Sequence, residues 1–221
     1  INAAGGQAKV LSNMTLLPAE LILDQLDGLL LPGAMVTKPN QETLRSTRPH
    51  TRAPLLPATR AAETELQSTT VGNGPPVAPL AKRLLAAAYL LNTQQESRFF
   101  PVWGTCLGME WMLEFLGQSR NAIDRHFDSF DYDATLNFSA VSPGRMFGRA
   151  NASLMHWAAT ENITYNDHSN GLTPATYSAN LHLARLVTVL AWSTDRHGRR
   201  FAAALEGKVL PFYMTQFDPE H

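Results

Sequence analysis

The strongest constraint on the fold is a cysteine between two glycines, where a predicted strand gives way to a predicted helix. Phe99–Trp103 is rich in β-forming residues, and Leu107–Leu116 spaces its apolar residues helically before Gly117. Cys106 lies between them at the centre of a G-x-C-x-G motif. The glycines permit a sharp turn that exposes the central side chain at the helix N-terminus, as in a nucleophile elbow. A buried, inert cysteine in a tight turn is the alternative.

Two backbone groups near this turn are candidates for stabilising a developing oxyanion. The N–H of Leu107 follows the cysteine at the helix N-terminus, where the helix dipole also lowers the pKa of a thiol. A second donor is expected from the Pro32-Gly33 loop, which ends the buried apolar run Leu29–Leu31. The sequence therefore predicts Cys106 as a nucleophile, with Leu107 and Gly33 as oxyanion donors.

The composition narrows the class of protein. The chain has 221 residues, of which 44% are hydrophobic, so it is long enough to form a core without disulfides or a structural metal. A net charge of −1 argues against binding of nucleic acid. No apolar run approaches the roughly 20 residues of a transmembrane segment. Cys106 is the only cysteine and the histidines are scattered, so we expect no metal site.

Predicted strands and helices alternate early in the chain, and hairpin-like strands come late. The predicted strands lie at Gln7–Leu11, Leu29–Leu31, Phe99–Trp103, Leu186–Trp192, Phe201–Leu205 and Phe212–Phe217, and the predicted helices at Leu16–Asp27, Leu80–Leu91, Leu107–Leu116 and from about Ser178 to Ala184. This order predicts one α/β domain over residues 1–221, with a largely parallel sheet and an antiparallel portion.

The segment Lys38–Pro79 differs from the rest of the chain. It contains seven of the 14 prolines together with many Ser and Thr residues. Such a composition predicts an extended surface insertion that contributes no strand to the sheet. A partner-binding arm is the alternative.

The nine residues Phe100–Gly108 (FPVWGTCLG) resemble the nucleophile segment of the γ-glutamyl hydrolases, relatives of the class I glutamine amidotransferases. Other stretches resemble that family in the same order, namely Leu26–Gly33, Leu136–Ser139, Arg145–Phe147, Asn166–His168, Glu206–Lys208 and Pro211–Tyr213. The resemblance implies a three-layer α/β/α sandwich with a mostly parallel central sheet. It also implies cleavage of γ-glutamyl bonds, as in folate poly-γ-glutamates, through a thioester on Cys106 without a cofactor. A strand and a helix before Ile1 are then missing.

Asp218 stands where this resemblance places the catalytic histidine. The last motif reads Gln-Phe-Asp-Pro-Glu over Gln216–Glu220, against Gln-Trp-His-Pro-Glu in the family, and Ala34 replaces the second glycine of the oxyanion loop. An aspartate is ordinarily ionised at neutral pH, so it disfavours a neighbouring thiolate and cannot protonate a leaving amine. Glu220, the expected partner of that histidine, is left without a role.

Two hypotheses follow. One is a degenerate hydrolase-like domain that serves as a structural or binding component of a glycoprotein or larger assembly, with protein subunits or a γ-glutamyl small molecule as partners. The other is an active cysteine γ-glutamyl hydrolase. In that case His168, whose family counterpart lies near the active site, replaces the missing base, or a buried and protonated Asp218 acts as the acid. An ordinary polar residue in a loop is the simpler account of His168.

Four N-x-S/T sequons indicate a route through the secretory pathway. They begin at Asn13, Asn137, Asn151 and Asn162, and none has proline at its middle position. Because Asn137 lies where the family often carries a sequon, it is the first candidate for glycosylation. A lysosomal, vacuolar or extracellular location is expected, and a cytosolic protein with unused sequons is the alternative.

Overall fold

The computed structural model describes residues 6–11, 17–33, 78–94, 99–140 and 144–219. Its helices are α1 (Ala19–Leu23), α2 (Pro79–Gln94), α3 (Leu107–Leu116), α4 (Gly144–Phe147), α5 (Ala152–Thr160), α6 (Pro174–Ala179) and α7 (Leu181–Leu186). Its strands are β1 (Leu29–Leu31), β2 (Val102–Thr105), β3 (Asp124–Ala134), β4 (Asn137–Phe138), β5 (Thr164–Gly171), β6 (Val187–Thr194), β7 (Arg200–Gly207) and β8 (Phe212–Thr215). The predicted α/β class is confirmed.

Six strands form the central sheet in the order β1-β2-β8-β7-β6-β4. The pairs β1–β2 and β2–β8 are parallel, whereas β8–β7, β7–β6 and β6–β4 are antiparallel. The sheet is therefore mixed, and its parallel strands are the three nearest the Cys106 turn. Parallel strands align their carboxyl ends, so the loops after β1, β2 and β8 meet at one edge.

A second sheet pairs β3 with β5 in antiparallel orientation. Neither strand was expected, because Asp is frequent in β3 and Asn and Asp occur in β5, and both residue types are depleted in strands. The buried side of β3 consists of Phe127, Ser129 and Ala134. The ladder shifts register twice, and Asp131 adopts a positive φ of 47° within the second irregularity. Burial of one face therefore outweighs an unfavourable local composition.

Two apolar clusters cover the central sheet. The first joins residues of α1, α2, α3 and α7 to the strands, and the second joins β3 and α5 to β6 and β7. Strand β7 contributes Ala202 and Leu205 to the first cluster and Phe201 and Ala203 to the second. Alternation of side chains separates Ala202 from Phe201 and Ala203, and the register shifts against β6 around Ala204, which also belongs to the second cluster, change the phase before Leu205. Within the described ranges, no helix is long and apolar enough to cross a membrane.

Three local expectations differ from the structure. Residues 7–11 form no strand, and residues 7–10 are exposed. The helix expected at Leu16–Asp27 is confined to α1. The helix expected around residues 178–184 is divided into α6 and α7, because the Asn180 side chain caps α7 by accepting a hydrogen bond from Leu183 N. Residues 38–77 of the predicted insertion lie outside the described ranges.

Two of the segments that resemble the hydrolase family meet in a buried polar contact. The Glu206 carboxylate accepts hydrogen bonds from the backbone N–H groups of Arg145, at 2.9 and 3.1 Å, and of Met146, at 2.9 Å. The Arg145 guanidinium in turn donates to the carbonyls of Val209 at 3.1 Å, of Leu210 at 2.8 Å and of Gly207. These bonds attach α4 to the end of β7.

We expect Glu206→Ala to lower the free energy of unfolding by roughly 2–4 kcal/mol, because it leaves the part-buried N–H groups of Arg145 and Met146 without their acceptor and removes the ion pair with the Arg145 guanidinium, 4.0 Å away. Denaturant titration followed by circular dichroism measures the change. Glu161→Ala is the matched control, since Glu161 is exposed after α5, and it should change the free energy of unfolding by less than about 0.5 kcal/mol. Equal effects of the two substitutions would contradict this assignment.

Candidate active site

Cys106 forms the turn between β2 and α3. Its backbone has φ 48° and ψ −109°, a conformation that few non-glycine residues adopt. Its N–H donates to the carbonyl of Thr215 at 2.8 Å, and its carbonyl accepts from Glu110 N at 3.1 Å. The cysteine is therefore held between the end of β8 and the first turn of α3. Backbone strain at such a position is typical of functional turns.

The glycines of the motif allow α3 to approach the sheet. A Cβ atom on Gly108 would lie 2.0 Å from the carbonyl oxygen of Leu31, and one on Gly104 would lie 2.6 Å from the sulfur of Met112. Both distances are far below van der Waals contact. The start of α3 is thus pressed against β1, so a side chain at either glycine would move the cysteine.

Asp218 and Cys106 both lie against Gly33. A Cβ atom built on Gly33 would be 2.8 Å from Oδ1 of Asp218 and 3.2 Å from Cβ of Cys106. The Asp218 N–H donates to the carbonyl of Tyr165 at 2.9 Å, so strand β5 fixes the backbone that carries this carboxylate. The structure therefore brings together three of the residues singled out in the sequence, and Gly33 is the close neighbour of both side chains.

The Cys106 thiol is strongly biased towards its protonated form. The residue is 4% exposed. Burial is the largest cause that raises the pKa of its thiol, followed by the negative charges of Asp218, Glu110 and Asp167. Among these interactions, only the hydrogen bond from the Leu107 N–H to the sulfur lowers the pKa of the thiol. The thiol is thus buried rather than open to solvent, and Leu107 N–H interacts with sulfur.

Glu110 is a site residue that the sequence analysis missed. It lies in the first turn of α3, is 3% exposed, and burial raises the pKa of its carboxyl to about 7. Asn170 Nδ2 donates to its Oε2 at 3.2 Å, and this bond and the Gln216 amide lower the pKa. An acidic residue at a helix N-terminus normally indicates a solvated partner of the helix dipole. The sequence does carry a signal for burial. Glu110 lies four residues after Cys106, and its neighbours Met109, Met112 and Leu113 are apolar.

His168 lies in β5 and not in a loop. It is 2% exposed and packs against Phe127 and Phe201, with ring centroids 6.2 and 4.7 Å away. Its Nδ1 lies 2.7 Å from the carbonyl oxygen of Asn170, and its Nε2 lies 3.3 Å from Oδ1 of Asn166. Burial lowers the pKa of the imidazole to about 4. Because both ring nitrogens contact residues of its own strand, action on Cys106 would require a rearrangement.

The remaining predicted site residues lie apart from the thiol or outside the described ranges. Asn137 is exposed in β4, Asn151 is the exposed N-cap of α5, and Asn162 is exposed just after that helix. The Asn151 side chain accepts a hydrogen bond from Ser153 N at 2.8 Å. Glu220, Ala34 and Asn13 lie outside the described ranges. Within those ranges, no group of three His, Cys, Asp or Glu residues could hold a metal.

Sequence comparison relates the chain to γ-glutamyl hydrolases. It is 30% identical to γ-glutamyl hydrolase B of Dictyostelium discoideum over 133 residues, which cover 60% of this chain and 38% of the relative. It is 34% identical to γ-glutamyl hydrolase of Rattus norvegicus over 131 residues, which cover 59% of this chain and 40% of the relative. The match thus spans about two fifths of the length of these curated relatives.

Two other comparisons complete these findings. No protein-family model matches the chain. The glutaminase domain of Trypanosoma brucei CTPS with bound acivicin superposes with a TM-score of 0.41 and 17% identity. That superposition covers 88% of this chain and 86% of the domain. The residues of the site therefore carry the functional argument.

We expect Gly108→Ala to lower the free energy of unfolding by about 3 kcal/mol or more, because the new methyl group would overlap the Leu31 backbone carbonyl. Thermal or denaturant unfolding measures the change. Gly198→Ala is the control, since Gly198 has a positive φ of 76° but no atom within 4 Å of an added Cβ. That control should cost about 1–2 kcal/mol. Equal costs would contradict the close approach of α3 to β1.

Proposed function

We propose that this chain, a homologue of the γ-glutamyl hydrolases, is a degenerate hydrolase-like domain that holds its nucleophile position as an unreactive thiol. The domain serves as a structural or binding component of a larger assembly, with other protein subunits or a γ-glutamyl small molecule as its partners. Hydrolysis would require a thiolate and a donor for the leaving amine. Asp218, which stands at the position of the family's histidine, works against the thiolate.

One observation carries this proposal. The Asp218 carboxylate and Cys106 both lie against Gly33, and after burial the charge of Asp218 is the largest cause that raises the pKa of the thiol. A histidine at the same place would have the opposite effect when protonated, because a nearby positive charge favours a thiolate. Replacement of a general base by an anion therefore disables activation of the thiol.

The alternative is an active cysteine γ-glutamyl hydrolase that cleaves poly-γ-glutamates through a Cys106 thioester. The turn geometry favours it, since Cys106 keeps a positive φ at the N-terminus of α3 and Leu107 N–H hydrogen bonds to the sulfur. Such an enzyme would need another base, and His168 is the candidate that the sequence offers. The two hypotheses differ in the charge state of the thiol and in turnover.

Passage through the secretory pathway belongs to the same proposal. Three sequons, at Asn137, Asn151 and Asn162, begin at exposed residues. An exposed asparagine is a sterically accessible acceptor for an N-linked glycan. These sites favour a glycoprotein that is lysosomal, vacuolar or extracellular.

We expect Asp218→Asn to speed alkylation of Cys106 by iodoacetamide at neutral pH by about tenfold, the effect of one unit of thiol pKa. Asp218→His should speed it further, because a protonated imidazole favours the thiolate. Since Cys106 is the only cysteine of the chain, mass spectrometry of the intact protein reports its modification directly. Asp133→Asn is the matched control, because Asp133 acts on Tyr165 but is not among the charges that act on Cys106. Equal rates in all four proteins would refute the role assigned to Asp218.

The same proteins should be assayed for release of glutamate from a poly-γ-glutamate substrate. The proposal predicts no turnover by the unmodified chain. Robust turnover that is abolished by Cys106→Ser and, in a separate variant, by His168→Ala would establish the active hydrolase instead. Turnover that survives His168→Ala would also overturn the degenerate assignment, with a different base.

Native or secretory-expressed material should carry an N-linked glycan on at least one of Asn13, Asn137, Asn151 and Asn162, with Asn137 the first candidate. Peptide mapping before and after enzymatic deglycosylation measures occupancy at each sequon. Asn180, which caps α7 outside any sequon, provides an internal control for spontaneous deamidation. Four unmodified sequons in secreted material would contradict the assignment to a glycoprotein.

A further inference from the structure

A path of hydrogen bonds joins the second sheet to the turn at Cys106. The His168 ring lies 2.7 Å from the carbonyl oxygen of Asn170, and the Asn170 side chain donates to the Glu110 carboxyl at 3.2 Å. The Glu110 N–H donates to the Cys106 carbonyl at 3.1 Å. This hydrogen bond holds the two residues together at the start of α3, and the Glu110 carboxyl is close enough for its charge to act on the thiol.

We propose that Glu110 and Asn170 control the protonation of the Cys106 thiol, as positioning residues that act separately from Asp218. Asn170 orients the Glu110 carboxyl. The negative charge of that carboxyl, when ionised, disfavours the thiolate of Cys106. This inference rests on the proposed function in one respect, because both treat Cys106 as the group whose reactivity is controlled.

The charges around the two groups determine the sign of the effect. Those that act on Cys106 are Asp218 after β8, Glu110 in α3 and Asp167 in β5, all anionic when ionised. Because an anion disfavours a second anion nearby, ionisation of Glu110 suppresses the thiolate and its protonation relieves that suppression.

Glu110 itself has a different set of neighbours. They are Glu114 in α3, Asn170 in β5 and Gln216 after β8. Of these, Glu114 raises the pKa of the Glu110 carboxyl, whereas the two amides lower it, and the net value of about 7 follows from burial. The carboxyl therefore changes charge near neutral pH. Thiol reactivity should rise less steeply with pH around pH 7 than it does on either side.

The test is the rate of modification of Cys106 by methyl methanethiosulfonate from pH 5.5 to 9, measured on the intact chain by mass spectrometry. With Glu110→Gln, an isosteric change, the rate should equal that of the unmodified protein at pH 5.5. It should exceed that rate by about tenfold at pH 8, where the unmodified carboxyl is ionised. The flattening around pH 7 should disappear.

Glu114→Gln is the matched control. Glu114 lies one turn further along α3, is also buried, and has a carboxyl whose pKa burial raises to about 7, but it is not among the charges that act on Cys106. This variant should keep the flattening, moved to lower pH because the charge of Glu114 raises the pKa of Glu110, and its rate at pH 8 should equal that of the unmodified protein. If both variants change the profile equally, a general effect on helix stability accounts for the result and the proposal is wrong.

Asn170→Ala provides a second variant that keeps both carboxyl groups. Loss of its hydrogen bond should raise the pKa of Glu110, so the flattening should move to higher pH without vanishing. An unchanged profile in both Glu110→Gln and Asn170→Ala would overturn the proposal.

Asp218→Asn separates the role of Glu110 from that of Asp218, because it should raise the rate of modification while the flattening near pH 7 persists. Loss of that flattening in Asp218→Asn would assign the pH dependence to Asp218 and contradict the role of Glu110.

Discussion

The geometry of the site depends on the close approach of Gly108 to the carbonyl oxygen of Leu31. This approach presses the first turn of α3 against β1, while Cys106 N–H bonds to Thr215 at the end of β8. The turn is thereby fixed to two parallel strands. Cys106 then adopts a positive φ because the chain must reverse within one residue. The strain and burial of the cysteine both follow from this packing.

A turn of this geometry can hold either a reactive thiolate or an unreactive thiol. The charges around the sulfur decide which of the two is present. A helix N-terminus and a backbone N–H favour a thiolate. At Cys106 these groups are opposed by burial and by three carboxyl groups, of which Asp218 is foremost. The carboxyl group of Asp218, after β8, thus opposes a thiolate at a turn whose backbone favours one. The second sheet takes part, because β5 holds the backbone of Asp218 and supplies Asn170 to Glu110.

The parts of the site that depend on local backbone rules could be predicted from the sequence. The G-x-C-x-G spacing predicted the turn, and Gly117 marked the end of α3, because glycine requirements and helical periodicity are short-range properties. The β3–β5 pair could not be predicted in this way. Its strands are rich in Asp and Asn, and their stability comes from burial of residues such as Phe127 and His168 against β7. Glu110 was missed for a related reason, since only tertiary packing makes a first-turn glutamate a buried group.

The most direct test of the central claim is the ionisation of the Cys106 thiol itself. Because the chain has one cysteine, incorporation of Cβ-labelled cysteine gives a single ¹³C resonance whose chemical shift distinguishes thiol from thiolate. In the folded protein, we expect the chemical shift to remain that of a thiol from pH 5 to pH 9. A titration to the thiolate with a midpoint at or below pH 7 would contradict it and would indicate an activated nucleophile.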